Sequence, residues 1–167
     1  AEKKAAGMAL SMLSHYPDRT RLVAAMSELA VEEMVHFREV IKHIQQRQLQ
    51  LSADKKDPYV NDLSEYLRRN KTNSSPEGLF VNKMLFAAII EARSCERFRL
   101  LSEELQDKEL AEFYRKLMVS EANHYTMFLG FARQYGDRKE VDKKWQQLLD
   151  FEAEIMKNLS KKETIHG

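Results

Sequence analysis

Helix-breaking residues are scarce in this chain, and this feature restricts its fold more than any other. Only five Gly and three Pro occur among 167 residues, and the polar–apolar alternation typical of strands is nearly absent. Ala, Leu, Glu, Lys, Arg and Met, which favour helices, are plentiful. A chain of this length can also bury a substantial core. We therefore predict an all-α fold that forms one domain over residues 1–167.

Stop and cap residues divide the chain into six predicted helices. We place these helices at residues 1–16, 20–50, 61–69, 76–105, 108–135 and 139–159. Polar loops separate them at 51–58 and 70–75, and the tail from Ser160 is expected to fray. The residues expected to stop or cap helices are Pro17, Asp18 or Thr20, Ser75 with Pro76 after it, Asp107 and Gly136.

Four of these helices carry a glutamate on a seam of otherwise apolar or small residues. In a helical bundle, positions spaced three and four residues apart face the neighbouring helices. The seams are Glu2, Ala5, Ala9, Met12 and Tyr16; Leu22, Met26, Leu29, Glu33, His36 and Val40; Met84, Ala87, Glu91, Ser94, Phe98, Leu101 and Leu105; and Leu110, Tyr114, Leu117, Glu121, His124, Phe128 and Phe131. Two of the seams therefore add a histidine three residues after the glutamate.

Charge and geometry together predict that these side chains bind metal ions in an antiparallel four-helix bundle. Buried carboxylates are costly and repel one another, and a pair of dications removes both penalties. Glu and His three residues apart lie about 4.5 Å apart along a helix, so both reach one metal. Each lone glutamate is as far from its interhelical turn as the glutamate of a Glu-x-x-His motif, so the two lie level. The predicted ligands, which form the set of dimetal carboxylate bundles, are Glu2, Glu33, His36, Glu91, Glu121 and His124.

Other residues that resemble metal ligands have simpler interpretations. A third Glu-x-x-His, formed by Glu163 and His166, lies in the polar tail with no seam around it, and we interpret it as surface. His15 and His43 lack an acidic partner at metal spacing, so we expect them at the surface or its boundary. Cys95 lies beside a seam and is expected to be a small buried residue and not a ligand.

Two further residues stand close to the predicted ligands. Glu32 precedes His36 by one helical turn. It is either a partner of that imidazole or a solvated residue, and we favour the solvated role. Tyr114 lies on the seam of Glu121, where ordinary core packing is favoured over a redox or hydrogen-bonding role.

Composition bears weakly on compartment and partners. The net charge of +1 gives no indication of nucleic acid, and the single cysteine excludes an internal disulfide and suits a reducing cytoplasm. No apolar run approaches the roughly 18 residues of a membrane span. The chain begins at Ala1 within a predicted helix, so we expect a segment to precede it. Solvation explains the basic and aromatic residues near loops at least as well as RNA contact does; they are Tyr59, Tyr66, Arg68, Arg69, Lys71, Arg133, Arg138, Lys139, Lys143 and Lys144.

Four short motifs carry a resemblance to a known family. They are EARSCERF at 91–98, EEMVHF at 32–37, SEANHY at 120–125 and EKKAA at 2–6. They resemble motifs of the bacterial tRNA 2-methylthio-N-isopentenyladenosine hydroxylase family, MiaE, and the likeness runs through nearly the whole chain. The resemblance implies a ferritin-like four-helix bundle with an additional short helix and a C-terminal helix.

The same resemblance implies a cytoplasmic non-haem di-iron monooxygenase with all six predicted ligands around two iron ions. Such an enzyme uses dioxygen and two electrons to hydroxylate the isopentenyl group on the modified adenosine just 3′ of the anticodon. Its partners would be the tRNA anticodon stem-loop and an external electron donor of the reductase or ferredoxin type, with the enzyme a monomer or a dimer.

Two other functions use the same residues. One is an iron-oxidising or iron-handling protein of the ferritin or rubrerythrin type. Against it, the chain has no cysteine quartet for a rubredoxin-like centre and no extra acidic nucleation patch. The other is a metal-free helical interaction protein in which the six residues form a buried polar network.

Overall fold

The computed structural model describes residues 2–54, 57–69 and 75–165, with the backbone alone for 159–165, and most of these residues are helical. Six helices and no strand occur in these ranges, which confirms the all-α prediction. The helices are α1 (Glu2–His15), α2 (Thr20–Gln46), α3 (Pro58–Arg69), α4 (Pro76–Glu104), α5 (Lys108–Tyr135) and α6 (Arg138–Ile165). None of them combines the length and the apolar content that a membrane crossing needs, as far as the described residues extend.

Contacts group the chain into two compact units, Ala1–Asp54 and Lys55–Gly167, which we describe in turn. In the first unit, α1 and α2 pack along one another. Because only a short connection joins them, they form an antiparallel hairpin. Most of the seam is buried as predicted, including Ala9 and Met12 in α1 and Leu22, Met26 and Leu29 in α2. The seam residues that are only half-buried are Ala5, Tyr16, His36 and Val40.

The start of α2 differs from the prediction. Arg19 occupies the N-cap position, and its side chain makes no capping hydrogen bond. The Arg19 N–H donates to the Tyr16 carbonyl at 3.2 Å, which closes a tight turn and leaves Asp18 inside that turn. Thr20 is already the first helical residue, so the prediction that Asp18 or Thr20 caps this helix is wrong.

The end of α2 also differs, because the helix stops at Gln46, four residues before the predicted end. Gln48 has a positive φ of 55°. Its N–H donates to the Gln45 carbonyl at 2.9 Å. The Leu49 N–H donates to the Ile44 carbonyl at 3.0 Å. This pair of bonds forms a Schellman motif, which satisfies the last carbonyls of the helix and terminates it.

In the second unit, α4 and α5 form another hairpin, against which α3 and α6 pack. The predicted caps of this hairpin are confirmed. The Ser75 side chain accepts a hydrogen bond from the Gly78 N–H at 3.1 Å, with Pro following at the start of α4. The Asp107 side chain accepts from the Leu110 N–H at 3.0 Å, and α4 and α5 are therefore separated by a short, well-capped connection.

Gly136 ends α5 as predicted, and a side chain at this position would clash with its neighbours. Its backbone is extended, with φ −121°, so the residue is not required for a left-handed conformation. A Cβ at this position would lie 2.8 Å from Val141 Cγ2, 2.9 Å from Val81 Cγ2 and 3.1 Å from the Ala132 carbonyl oxygen. Glycine therefore allows α5, α4 and α6 to approach closely at this point.

Two other helix ends correct the prediction. The α3 helix begins at Pro58, three residues early, because Asp57 caps it by accepting from the Tyr59 N–H at 3.0 Å. The α6 helix continues to Ile165, beyond the predicted end near Leu159, since no Gly or Pro interrupts that stretch. The predicted loop at 70–75 lies outside the described residues except for its last position.

Candidate metal centre

The first hairpin contributes three of the predicted ligands. Glu2 is the first residue of α1 and is buried, and Glu33 in α2 is only 1% exposed. His36 follows Glu33 by one helical turn, and its Nδ1 lies 3.9 Å from Glu33 Oε1. The α2 seam therefore turns a carboxylate and an imidazole nitrogen towards the same point.

The second hairpin contributes the other three in the same pattern. Glu91 in α4 and Glu121 in α5 are each 3% exposed, and His124 in α5 is 5% exposed. His124 Nδ1 lies 3.5 Å from Glu121 Oε2. A lone buried glutamate on one helix and a Glu-x-x-His on the next thus occur in both units. That all six residues share one site stays a prediction.

The distance from each glutamate to its turn is the same in both hairpins. Glu2 lies thirteen positions before the end of α1, and Glu33 lies thirteen positions after the start of α2. Likewise, Glu91 lies thirteen positions before the end of α4, and Glu121 lies thirteen positions after the start of α5. At 1.5 Å per residue, each carboxylate lies about 20 Å from its turn, level with its partner on the neighbouring helix.

The electrostatics of these residues fit a bound cation. Glu33, Glu121 and His124 are buried residues of the types that hold metal ions. Glu121 Oε2 is buried and accepts no hydrogen bond from any residue that the structure describes. A buried carboxylate oxygen in that condition is costly unless a positive charge lies beside it. Oxygen and imidazole donors without a thiolate suit iron or manganese.

The Nε2 atoms of the two imidazoles also have neighbours on their own helices. His36 Nε2 lies 3.9 Å from Glu32 Oε1, and the Glu32 side chain is 46% exposed. His124 Nε2 lies 3.4 Å from the hydroxyl of the buried Ser120. Glu32 is therefore partly solvated, as favoured, and also close to the imidazole. Sequence reasoning missed Ser120, although its place one turn before His124 was visible.

A polar junction, also missed from the sequence, joins α3 and α6 to the helix that carries Glu91. The Tyr59 hydroxyl donates to Glu152 Oε1 at 3.3 Å, and Arg93 Nε lies 3.8 Å from the same oxygen. Burial raises the pKa of Tyr59, and the charge of Glu152 raises it further. Tyr59 therefore stays protonated and keeps donating.

The structure shows the surroundings of the residues that we expected to have no metal role, and that expectation stays a prediction. His15 is exposed and its Nδ1 lies 2.7 Å from the Ser11 carbonyl, while His43 is half-buried. Tyr114 stacks on Phe98 with ring centroids 5.5 Å apart, which confirms core packing.

Cys95 and the third Glu-x-x-His motif were also expected to have no metal role. Cys95 is free and half-buried, less enclosed than predicted. Burial raises the pKa of its thiol, and the charge of Glu121 adds to the rise. The Glu163 side chain and His166 lie outside the described residues.

Most of the basic residues considered for RNA contact have local partners. Arg69 lies 2.6 Å and Arg68 3.7 Å from Glu65, and Arg133 lies 2.7 Å from Asp142. The rings of Tyr66 and Phe151 stack with centroids 4.0 Å apart, so this tyrosine packs against another side chain, a role that the sequence did not suggest. Lys71 lies outside the described residues. Ion pairs with nearby carboxylates therefore account for these three arginines without RNA contact.

Comparisons with known proteins identify a family that matches this chain. A family model described as tRNA-(MS[2]IO[6]A)-hydroxylase (MiaE) matches residues 1–167. A protein of Pseudomonas putida named tRNA 2-(methylsulfanyl)-N(6)-isopentenyladenosine(37) hydroxylase is 34% identical over 166 residues, covering 99% of this chain and 78% of its own length. A protein of the same name from Salmonella typhimurium is 33% identical over 114 residues, covering 68% of this chain and 40% of its own length.

A solved structure is similar as well. It is described as protein 43 with aldehyde deformylating oxygenase activity from Synechococcus. The TM-score is 0.82 and the identity 33%, with 92% of this chain and 74% of that chain covered. This likeness confirms the ferritin-like fold class.

Proposed function

Because this chain belongs to the tRNA-(MS[2]IO[6]A)-hydroxylase (MiaE) family and is therefore an enzyme, we propose that it hydroxylates the isopentenyl group of a 2-methylthio-N-isopentenyl-adenosine next to the anticodon of tRNA. One oxygen atom of dioxygen enters a prenyl C–H bond. The other leaves as water, formed with two protons and two electrons from an external reductase or ferredoxin. The substrate is the anticodon stem-loop of tRNA, and the reaction takes place in the cytoplasm.

The repeated hairpin pattern is the observation that carries this proposal. Each unit buries a lone glutamate and the glutamate of a Glu-x-x-His motif, and both glutamates lie thirteen positions from their turn. We propose that these side chains together bind two iron ions. The ligands are Glu2, Glu33, His36, Glu91, Glu121 and His124.

The protein side chains have three tasks in this reaction. The four carboxylates would offset the whole formal charge of two ferrous ions, and the imidazoles would add neutral nitrogen donors. Two iron ions bound there would supply the reduction of dioxygen and the oxidation of the C–H bond. The burial of Glu33, Glu91 and Glu121 keeps bulk water from this region, so that reducing equivalents are spent on the substrate.

A single-turnover assay tests the proposal. The protein is loaded with ferrous iron without oxygen, mixed with tRNA that carries the prenylated adenosine and a reductant, and exposed to isotopically labelled dioxygen. Nucleosides are then measured by mass spectrometry. We expect one labelled oxygen atom on the prenyl group.

Variants link the product to the proposed ligands. Glu91→Ala and His124→Ala should each lower both the bound iron and the hydroxylated nucleoside. His166→Ala, in the tail copy of the motif, should lower neither. Iron oxidation without any tRNA product in the wild type would reject the hydroxylase and favour an iron-handling protein.

A further inference from the structure

The α2 helix contacts both ring nitrogens of its histidine. His36 Nδ1 lies 3.9 Å from Glu33, three residues earlier, and Nε2 lies 3.9 Å from Glu32, four residues earlier. Residues three and four apart share a helix face, so one turn of α2 surrounds the imidazole on two sides.

The α5 helix repeats this arrangement around its own histidine. His124 Nδ1 lies 3.5 Å from Glu121, three residues earlier. Nε2 lies 3.4 Å from the Ser120 hydroxyl, four residues earlier. In both helices, therefore, Nδ1 turns towards the proposed ligand and Nε2 towards the residue directly before that ligand.

We propose that the residue directly before each ligand glutamate is a positioning residue for the histidine one turn later. Glu32 has this role for His36, and Ser120 has it for His124. With a metal bound, each would accept a hydrogen bond from Nε2–H, for which the 3.9 Å separation between Glu32 and His36 must shorten, and Nδ1 would then present its lone pair to the metal. The proposal rests on the di-iron centre of the proposed function.

Imidazole chemistry supplies the reason. A neutral imidazole has one proton, so a metal on Nδ1 requires that proton to be on Nε2. An acceptor beside Nε2 favours this tautomer and fixes the rotation of the ring. Partners of this kind affect metal affinity by about 10–100-fold.

The two acceptors differ, so the two metal positions should differ as well. Glu32 is anionic and 46% exposed, whereas Ser120 is neutral and buried. An anionic acceptor makes the imidazole a stronger electron donor, although solvent screens part of this effect for Glu32. The metal next to His36 is therefore expected to be the more electron-rich of the two.

Nuclear magnetic resonance of the wild-type protein loaded with zinc tests the tautomers directly. Long-range proton–nitrogen correlations of the ring nitrogens should show zinc on Nδ1 and a proton on Nε2 for both His36 and His124. Zinc on Nε2 of either ring would overturn the proposal. If zinc binds in the expected way but the iron-loaded protein does not hydroxylate tRNA, the proposed function is rejected and this inference is supported. No zinc at the six residues would reject both.

Substitutions test the acceptors. Ser120→Ala and Glu32→Ala should each weaken ferrous iron binding, measured by anaerobic titration, by about 10-fold or more. Each should also change the Mössbauer signal of only one of the two irons. Ser120→Thr keeps the hydroxyl and should retain the wild-type affinity. If Ser120→Ala folds poorly, Glu32→Ala tests the same contact in the other hairpin.

Matched controls separate positioning from general damage. Ser102→Ala removes a buried hydroxyl that donates to the Arg99 carbonyl of its own helix. Glu28→Ala removes an exposed carboxylate one turn before Glu32. Affinities of the Ser120→Ala and Glu32→Ala proteins equal to those of their controls would refute the assignment.

Discussion

Neutralising Glu121 should remove metal-dependent stability while sparing the metal-free protein. Glu121 is 3% exposed, and its Oε2 makes no hydrogen bond to the described residues, so the amide of Glu121→Gln replaces a buried charge without loss of volume. Without metal, the melting temperature of the variant should therefore equal or exceed that of the wild type. A carboxylate with only a structural role would instead lower it when replaced.

The size of the metal effect follows from binding linkage. A site filled at about 100 times its Kd stabilises the folded state by about 2.7 kcal/mol. For a protein of this length, 1 kcal/mol corresponds to about 2–4 °C in melting temperature. If Glu121→Gln disables one of two sites, the rise in melting temperature caused by ferrous iron should shrink by about 5–11 °C.

Differential scanning calorimetry under anaerobic conditions, with and without ferrous iron, measures this difference. Glu112→Gln is the matched control, because Glu112 lies in the same helix with its side chain 56% exposed. The control should respond to iron like the wild type. An equal iron-dependent rise in both variants would refute the placement of Glu121 at a metal.

Three further predictions concern the helix packing at Gly136, the Tyr59 hydroxyl and the Cys95 thiol. Gly136→Ala should lower the free energy of unfolding in urea by about 1–3 kcal/mol, because its Cβ meets two valine methyl groups and a carbonyl oxygen. Gly130→Ala, with nothing within 4 Å of a new Cβ, should raise it by up to about 1 kcal/mol, and a shared sign would contradict the steric argument. Because the pKa of Tyr59 is raised in the folded state, it contributes stability that is complete below pH 10 and lost above it. Tyr59→Phe should therefore flatten the decline of the free energy of unfolding with rising pH. An unchanged slope of that free energy against pH would refute this. Thiol alkylation at Cys95 should be faster in Glu121→Gln, because one charge that raises the thiol pKa is gone; an unchanged rate would argue against that coupling.

Helix identity was readable from the sequence because breakers and caps act locally. Ser75 and Asp107 act where predicted, since each accepts a hydrogen bond from an N–H three residues later in the chain. Gly136 also ends its helix where predicted, although its close approach to Val81 is a tertiary contact. The end of α2 could not be predicted, because Gln48 adopts a left-handed conformation and this position lacks the glycine that usually indicates one. The early start of α3 depends on the Asp57 carboxylate, which accepts a hydrogen bond from the Tyr59 N–H, and apolar periodicity does not encode this bond.

The burial of the candidate ligands was predictable, whereas their support was not. A glutamate among apolar seam residues indicates burial at once, and Glu33 and Glu121 are almost fully enclosed. The contact of Ser120 with His124 depends on the rotamer of an imidazole, and spacing alone does not specify it. The Tyr59 junction joins residues 93 positions apart in the chain, so only the tertiary structure brings them together.

The helix segment between each ligand glutamate and its interhelical turn, called an arm here, has the same length of thirteen positions in all four helices. This equality has a consequence for anyone who redesigns this scaffold. Extra residues in the segment between the two hairpins leave every carboxylate at its original height above its own turn. Deleting one residue within an arm would instead swing the glutamate about 100° around the helix axis and lower it by about 1.5 Å. Length changes are thus tolerable between the hairpins, but inside an arm even a single insertion or deletion turns the carboxylate off its seam.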